Sequence, residues 1–428
     1  MRHSRFLISC AAALPLVALA FAEPARELRW WRGNLHTHSL WSDGNDFPEM
    51  VVDWYRARPE YQFLALTEHN VLADHEKWVE NDLVVRRGGR TALREYRDRF
   101  GEDWVETREA EGGKLEVRLK TLPEFRGRFE VPGEFLMIDA EEITDSYGGL
   151  PIHINATNVG ELVRPKGGTS VRDVIQQNLE AVKAQAEKLD RPILAHVNHP
   201  NFGWAVTAED LAYAPAERFF EVYNGHPGVR QLGDDVHASI ERAWDVANAL
   251  RIQELGAEPL FGLATDDSHN YHNASASIPG RGWVVVRSSE LTAESLIGAM
   301  EAGDFYASSG VGLRDVRFAD GALHVEVDPV DGETYRIDFI GTRAGLDLSG
   351  EEVQGPDGAV LHVTRRYPAG VGATLHSAVG HEARYELTGD ELYVRAVVTS
   401  SASPDRPVWE GQRKQAWTQP VGWRARPR

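Results

Sequence analysis

The chain has 428 residues, 42% of them hydrophobic, and a formal net charge of −19. That length accommodates two or three domains with substantial cores, and no stretch is of low complexity. The acidic balance argues against duplex nucleic acid as a partner, because readers of the phosphate backbone are basic. A small anionic substrate stays open, since bound metal ions can reverse the local field.

The first segment reads as a secretory signal over residues 1–22. Arg2, His3 and Arg5 precede an apolar run over 6–21, and Ala20-Phe21-Ala22 fits a small-x-small cleavage site. The run is short for a membrane span, so no transmembrane segment is expected after cleavage and the destination is the periplasm or the exterior. Cys10 is the sole cysteine. Cleavage removes it, so a metal site in the mature chain must use imidazole and carboxylate.

Short apolar strands then alternate with amphipathic helices. Strands are expected at 30–36, 61–67, 135–139, 152–156, 192–197, 219–223, 260–264 and 282–287. Helices are expected at 48–58, 170–189, 234–250 and 292–302. The helix at 170–189 is the clearest: Ser170 and Asp173 make a capping pattern, and Val171, Val174, Ile175, Leu179 and Val182 share a face. This rhythm predicts an α/β fold, a parallel sheet or barrel with helices outside, whose reactive groups collect at the C-terminal strand ends.

Two regions break the rhythm. Residues 77–133 are highly charged, with Arg86-Arg87-Gly88-Gly89-Arg90 and a hairpin expected around Glu111-Gly112-Gly113-Lys114, and read as an insertion near the site mouth. After Gly310 the pattern turns to alternating strands at 323–327, 335–340, 359–363 and 392–398, which suggests a β-sandwich-like domain. The organisation is therefore a signal at 1–22, a catalytic region at 23–309 and an all-β region at 310–428. The C-terminal histidines His324, His362, His376 and His381 are scattered and suggest no site.

The chemistry lies where the strands stop. His36 and His38 are two apart, so they leave an extended strand on one side, and Asp43 follows in the turn Ser42-Asp43-Gly44. Later strands end in Glu68-His69-Asn70, Glu141-Glu142-Ile143-Thr144, His153, His196-Val197-Asn198-His199-Pro200 and Asp266-Asp267-Ser268-His269. A structural core has little use for imidazoles and carboxylates at most of its strand ends. A metal cluster requires them.

These ordered motifs resemble the polymerase and histidinol phosphatase (PHP) family of metal-dependent hydrolases. His36-Thr37-His38 with Ser42-Asp43-Gly44 is similar to the family's first motif. Leu66-Thr67-Glu68-His69-Asn70 is similar to its second, with Glu68 where the family usually has Asp, and Glu142-Ile143-Thr144 to its third. His153, His199-Pro200 and Asp267-Ser268-His269 complete the set. The resemblance spans about residues 30–310, and the stretch 282–310 resembles the family's secreted, carbaryl-hydrolase-like branch.

The resemblance implies a distorted seven-stranded, TIM-like βα barrel that holds two or three divalent ions, Mn, Zn or Fe. The ligands it implies are His36, His38, Asp43, His69, Glu142, His153, His199, Asp267 and His269. Glu141 competes with Glu142, Asp266 with Asp267, and His196 with His199; the second of each of the first two pairs, and His199, are favoured. Glu68, Asn70, His196 and Arg281 are candidate supports or substrate contacts. Activated water serves as nucleophile and no side chain attacks.

Against the carboxylates of Asp43, Glu142 and Asp267, either two or three divalent ions leave a net positive site, suited to a small phosphate ester. A carbamate, ester or amide hydrolase on the same metals is the alternative, and a non-catalytic binding protein a third. Nothing in the sequence sets an oligomeric state.

Overall fold

A computed structural model describes residues 27–272 and 276–425. The signal reading, with Cys10, lies outside the described residues. Among them no helix is long and apolar enough to cross a membrane.

The chain runs β1 (Arg29–Asn34), α1 (Pro48–Arg56), β2 (Phe63–His69), β3 (Lys77–Glu80), α2 (Asn81–Gly88), α3 (Ala92–Phe100), β4 (Thr107–Glu109), β5 (Leu115–Leu119) and α4 (Leu122–Phe129). It continues through β6 (Leu136–Tyr147), β7 (Leu150–Thr157), α5 (Val171–Leu189), β8 (Leu194–Val197), α6 (Ala208–Ala212), β9 (Phe219–Asn224), α7 (Ile240–Gln253), β10 (Phe261–Thr265), β11 (Trp283–Ser288), α8 (Ala293–Ala302) and β12 (Phe305–Ser308). The C-terminal strands are β13 (Gly312–Ala319), β14 (Ala322–Asp328), β15 (Tyr335–Arg343), β16 (Ala373–Val379), β17 (Glu382–Glu386), β18 (Glu391–Ser400) and β19 (Gln415–Thr418).

The fold is α/β and dominated by one 13-stranded sheet, ordered β10-β9-β8-β7-β6-β2-β1-β11-β12-β19-β18-β15-β16. Strand β2 carries Phe63, Leu64, Ala65 and Leu66 with both faces buried, the pattern of a strand covered on each side. The pairings β1-β2-β6 and β8-β9-β10 are parallel, as the strand–helix rhythm predicts.

Between them the sheet turns antiparallel, so it is mixed rather than uniformly parallel. The cause is the turn at Gly148 (φ +59°) and Gly149 (φ +83°). Two consecutive residues with positive φ make a tight hairpin whose twist suits antiparallel strands, and no crossover helix fits between β6 and β7. The hairpin sets Thr144 opposite His153 and Glu142 opposite Asn155.

At the far end of the seven N-terminal strands, the loop after β10 returns to the loop after β1. Thr37 bridges Ser268, and His38 N–H donates to Ser268 O at 2.9 Å. The C-terminal ends of the first and last of these strands thus meet, which draws the polar strand ends into one place. The outer edge of β10 is not left open either. Gly262 donates its N–H to Gln419 Oε1 and accepts from Gln419 Nε2, both at 2.9 Å. One buried side-chain amide, just past β19, stands in for a neighbouring strand.

Beyond β12 the main sheet continues into β19, β18, β15 and β16. A second sheet, β13-β14-β17, layers onto it through Leu323, Val325, Ile337, Phe339 and Val394, which is the sandwich-like packing that the alternation suggests. Asp245 on α7 ties the halves together, accepting from Arg395 Nη2 at 2.7 Å and from Tyr393 Oη at 2.8 Å.

Three sequence expectations shift. Residues 359–363 form no strand, since Val360 and Leu361 are exposed and supply no buried face. The helix expected from 234 begins after its Ser239 cap, because Asp234 accepts from the N–H groups of Val236 and His237 and closes a separate turn. Strand β6 runs on past 139 to Tyr147, carried by its pairing with β7.

Two stability predictions follow from buried polar groups. Gln419→Ala orphans both backbone groups of Gly262 and should cost roughly 2–4 kcal/mol in urea unfolding. Burial pushes the Glu217 carboxyl from its ordinary 4.5 up to about 8, against the pull of Arg251 and backbone N–H groups. The folded chain therefore keeps a proton that the unfolded chain releases. This stabilisation is complete below the ordinary value and is lost as pH rises to about 8. Relative to Glu217→Gln, the wild type should lose up to about 4 kcal/mol between about pH 5 and about pH 9, read by denaturation at each pH.

Candidate metal centre

The strand ends converge on one buried carboxylate, Glu142. Because β6 alternates, Glu141 and Glu142 face opposite ways. Glu141 accepts the N–H of Val163 at 2.6 Å on the far side, while Glu142 meets the imidazoles. Its Oε2 lies 3.4 Å from His36 Nε2, 3.2 Å from His38 Nε2 and 3.0 Å from His69 Nδ1. Its Oε1 lies 2.9 Å from His153 Nδ1 and 3.6 Å from His199 Nε2.

Asp267 plays a similar part. Its Oδ1 is 3.3 Å from His36 Nε2, 3.4 Å from His38 Nε2 and 3.4 Å from His269 Nδ1. Its neighbour Asp266 is occupied elsewhere, accepting from Tyr55 Oη and from the N–H groups of Gly280, Arg281 and Gly282. The backbone must turn to separate the two, and Asp267 sits at φ +48°. His199 (φ +24°) and Asn70 (φ +52°), beside His69, also take left-handed backbone, a strain that tends to collect at functional sites.

Asp43 closes the outer side, with Oδ1 3.5 Å from His69 Nε2, 3.2 Å from His269 Nε2 and 3.8 Å from His38 Nδ1. Exposure grades outward: the side chains of His36 and His38 are at 0%, that of His69 at 23% and that of Asp43 at 48%. The centre therefore opens to solvent past Asp43.

Ligand-capable atoms of the described residues gather in overlapping groups, each within 4.8 Å: His38/Asp43/His69/His269, His36/His38/Glu142, His36/His199/Asp267, His69/Glu142/His153 and His36/His196/Glu221. The first four contain all nine sequence-derived ligands. The donor set of nitrogen and carboxylate oxygen suits a borderline divalent cation. Among the buried side-chain atoms without a hydrogen-bond partner are His36 Nε2, His38 Nε2, Glu142 Oε2 and His153 Nδ1. Polar atoms that converge unsatisfied in a buried place fit a metal ion at that point.

The electrostatics agree. Burial raises the pKa of Glu142 and Asp267, yet the surrounding histidines hold both well below the carboxylate range. Burial and the neighbouring His269 lower His38 to about 3. For His69, burial pulls down but Glu142 and Asp43 lift the imidazole to about 11. The imidazoles around these acids thus keep them ionised out of water.

The remaining sequence candidates hold the frame. Glu68 accepts from Ser39 N–H at 3.0 Å and from the hydroxyls of Ser39 and Ser42, which pins the loop that carries Asp43. Asn70 exchanges two hydrogen bonds with the Thr144 backbone, both 2.9 Å, and locks β2 to β6. Arg281, a candidate support or substrate contact in the sequence, donates to the carbonyls of Gly225, Ala276 and Arg406. His196 lies behind His36, with Nε2 3.6 Å from Glu221 Oε1.

Sequence reasoning missed Glu221. Its Oε1 accepts from Thr265 Oγ1 at 2.6 Å and pairs with His36 Nδ1 at 2.7 Å. Its Oε2 accepts from His199 N–H and Asn224 Nδ2, both 2.8 Å. With its lone pairs spent, Glu221 fixes His36 so that Nε2 faces Glu142 and Asp267. The available signal was a lone acid in the apolar strand Phe219–Asn224. His226 was missed too. It borders His269 at 5.7 Å between ring centroids, and its Nδ1 accepts the Gly228 N–H at 3.0 Å, which leaves Nε2 as a hydrogen-bond donor.

No protein-family model matches this chain, and no curated protein matches it. A solved structure from Bacteroides vulgatus ATCC 8482, described as a two-domain protein containing a predicted PHP-like metal-dependent phosphoesterase, is 14% identical. The match covers 93% of this chain and 97% of that one, with a TM-score of 0.39. A likeness of that size transfers neither fold nor activity.

Glu221→Gln keeps the size of the group but removes the charge that orients His36. It should weaken binding of Mn or Zn roughly 10–100-fold, measured by calorimetric titration of the metal-stripped protein.

Proposed function

We propose that this protein is a metal-dependent hydrolase of the PHP kind, with a distorted TIM-like barrel, acting as a phosphoesterase on a small anionic ester. The convergence of unsatisfied His36 Nε2, His38 Nε2 and Glu142 Oε2 in a buried pocket carries this reading. The overlapping groups His38/Asp43/His69/His269, His36/His38/Glu142, His36/His199/Asp267 and His69/Glu142/His153 would between them hold two or three divalent ions, drawn from Mn, Zn or Fe. Such ions supply Lewis acidity toward a phosphoryl oxygen and lower the pKa of water at neutral pH.

The chain's own groups do the rest. Glu221 orients His36, and Asn198 Nδ2 donates to Glu142 Oε1 at 2.8 Å to set that carboxylate. The buried inner wall excludes water, and the open side past Asp43 admits the ester. Glu221 also alters the charge account. Its fourth carboxylate leaves a three-ion site positive but makes a two-ion site neutral, so attraction of an anion favours three ions.

The test is a panel of phosphomonoesters, phosphodiesters and carboxyl or carbamate esters on protein reloaded with each metal. Turnover of phosphate esters, with inorganic phosphate as a competitive inhibitor, is expected. Turnover of carbamates or carboxyl esters alone, insensitive to phosphate, would shift the assignment to a carbonyl hydrolase. An inert, metal-replete protein would indicate a binding role. His38→Ala should lose bound metal and nearly all turnover; full activity with unchanged metal content in that variant overturns the centre.

A further inference from the structure

The charged stretch after β2 does more than decorate the mouth. Strands β3, β5 and β4 form their own sheet, with α2 and α3 packed on it. The core of this inserted layer contains Val79, Val84, Tyr96 and Val117. Three further members of that core, Leu40, Trp41 and Phe47, come from the loop that carries Asp43. The Asp43 loop and the insertion thus share one apolar core.

Polar contacts fasten the same loop. Arg87 Nη1, at the end of α2, donates to Ser42 O at 2.5 Å and reaches Gly44 O at 3.5 Å. These two carbonyls flank Asp43. Lys77 Nζ donates to Trp41 O, and Trp41 Nε1 donates to Lys120 O at 3.0 Å. There is no slack on the other side. A Cβ on Gly44 would lie 2.6 Å from the His38 carbonyl atoms, and one on Gly88 2.4 Å from Asn45 O. The loop is gripped between the end of β1 and the end of α2.

We infer that the 77–133 insertion is a clamp that sets Asp43 against His69 and His269, with Arg87 as its positioning residue. The inference rests on the metal-centre reading above. It assigns a use to the Arg86-Arg87-Gly88-Gly89-Arg90 run, whose second member holds both carbonyls. Asp43 is the most exposed ligand of the set, so it has least packing of its own and depends most on this grip.

The test compares wild type, Arg87→Ala, Arg87→Lys and Arg99→Ala, each loaded with excess Mn or Zn, desalted, and assayed for metal per chain and for thermal unfolding. Arg99 pairs with Asp53 on α1 at 2.6 Å, so its loss cuts an insertion contact remote from the Asp43 loop. Arg87→Ala should bind one fewer ion per chain, or bind its last ion at least about tenfold more weakly. Arg87→Lys should recover part of that loss, and Arg99→Ala should match wild type. If Arg87→Ala does not purify folded, Arg87→Lys carries the test through the affinity of its last ion. Unchanged metal content and affinity in the Arg87 variants overturns the clamp, as does an equal loss in Arg99→Ala. A wild type that binds no divalent ion overturns the metal centre itself, a separate result.

Discussion

A carboxylate taken wholly out of water has to be neutralised where it stands, and Glu142 is such a group. Five imidazoles, from the loop after β1, the end of β2, the interior of β7 and the loop after β8, reach its two oxygens. Much of the architecture serves that convergence. The Gly148–Gly149 turn brings His153 beside Glu142. The return of the loop after β10 to the loop after β1 adds Asp267 and His269. Glu221 then fixes the direction in which the most deeply buried histidine looks. The order runs from burial, to charge compensation, to a cluster that leaves His36 Nε2, His38 Nε2, Glu142 Oε2 and His153 Nδ1 without hydrogen-bond partners.

Much of this was legible in the sequence because the chemistry obeys strand periodicity. His36 and His38 share a side because they are two apart, and Glu141 and Glu142 part company because they are one apart. The motif order then placed His69, His153, His199 and Asp267 without knowledge of how the strands pair. What escaped was pairing direction and support. The hairpin of β6 and β7 turns on two glycines whose positive φ could have been suspected from their adjacency, but a helix-rich rhythm on both sides outweighed them. Glu221 escaped because a single acid inside an apolar strand looks the same in sequence whether it ligates, orients or pairs with a cation. The partners of Arg281 escaped as well, because the carbonyls it binds are brought near only by the fold.

The outer half of the cluster is organised differently from the inner half. Glu142 and Glu221 are held by the sheet itself, on β6 and β9, and His36 is fixed against Glu221 just past the end of β1. Asp43 sits on a loop that belongs as much to the inserted layer as to the sheet, through Trp41 and the carbonyls beside it. Rigidity inside and borrowed rigidity outside suit a site whose deep part must be preorganised and whose entrance must admit a ligand.

The bond between Gln419 and Gly262 joins residues 157 positions apart in the chain. Synthesis proceeds from the N-terminus, so β10 leaves the ribosome long before the amide that completes its border. At roughly 5–20 residues per second, the interval is on the order of 8–30 s. Throughout it an apolar strand with unpaired backbone groups stands available to any other extended chain. The C-terminal half therefore acts in time as well as in space: until its last strand arrives, the N-terminal half is a nascent polypeptide in need of shelter.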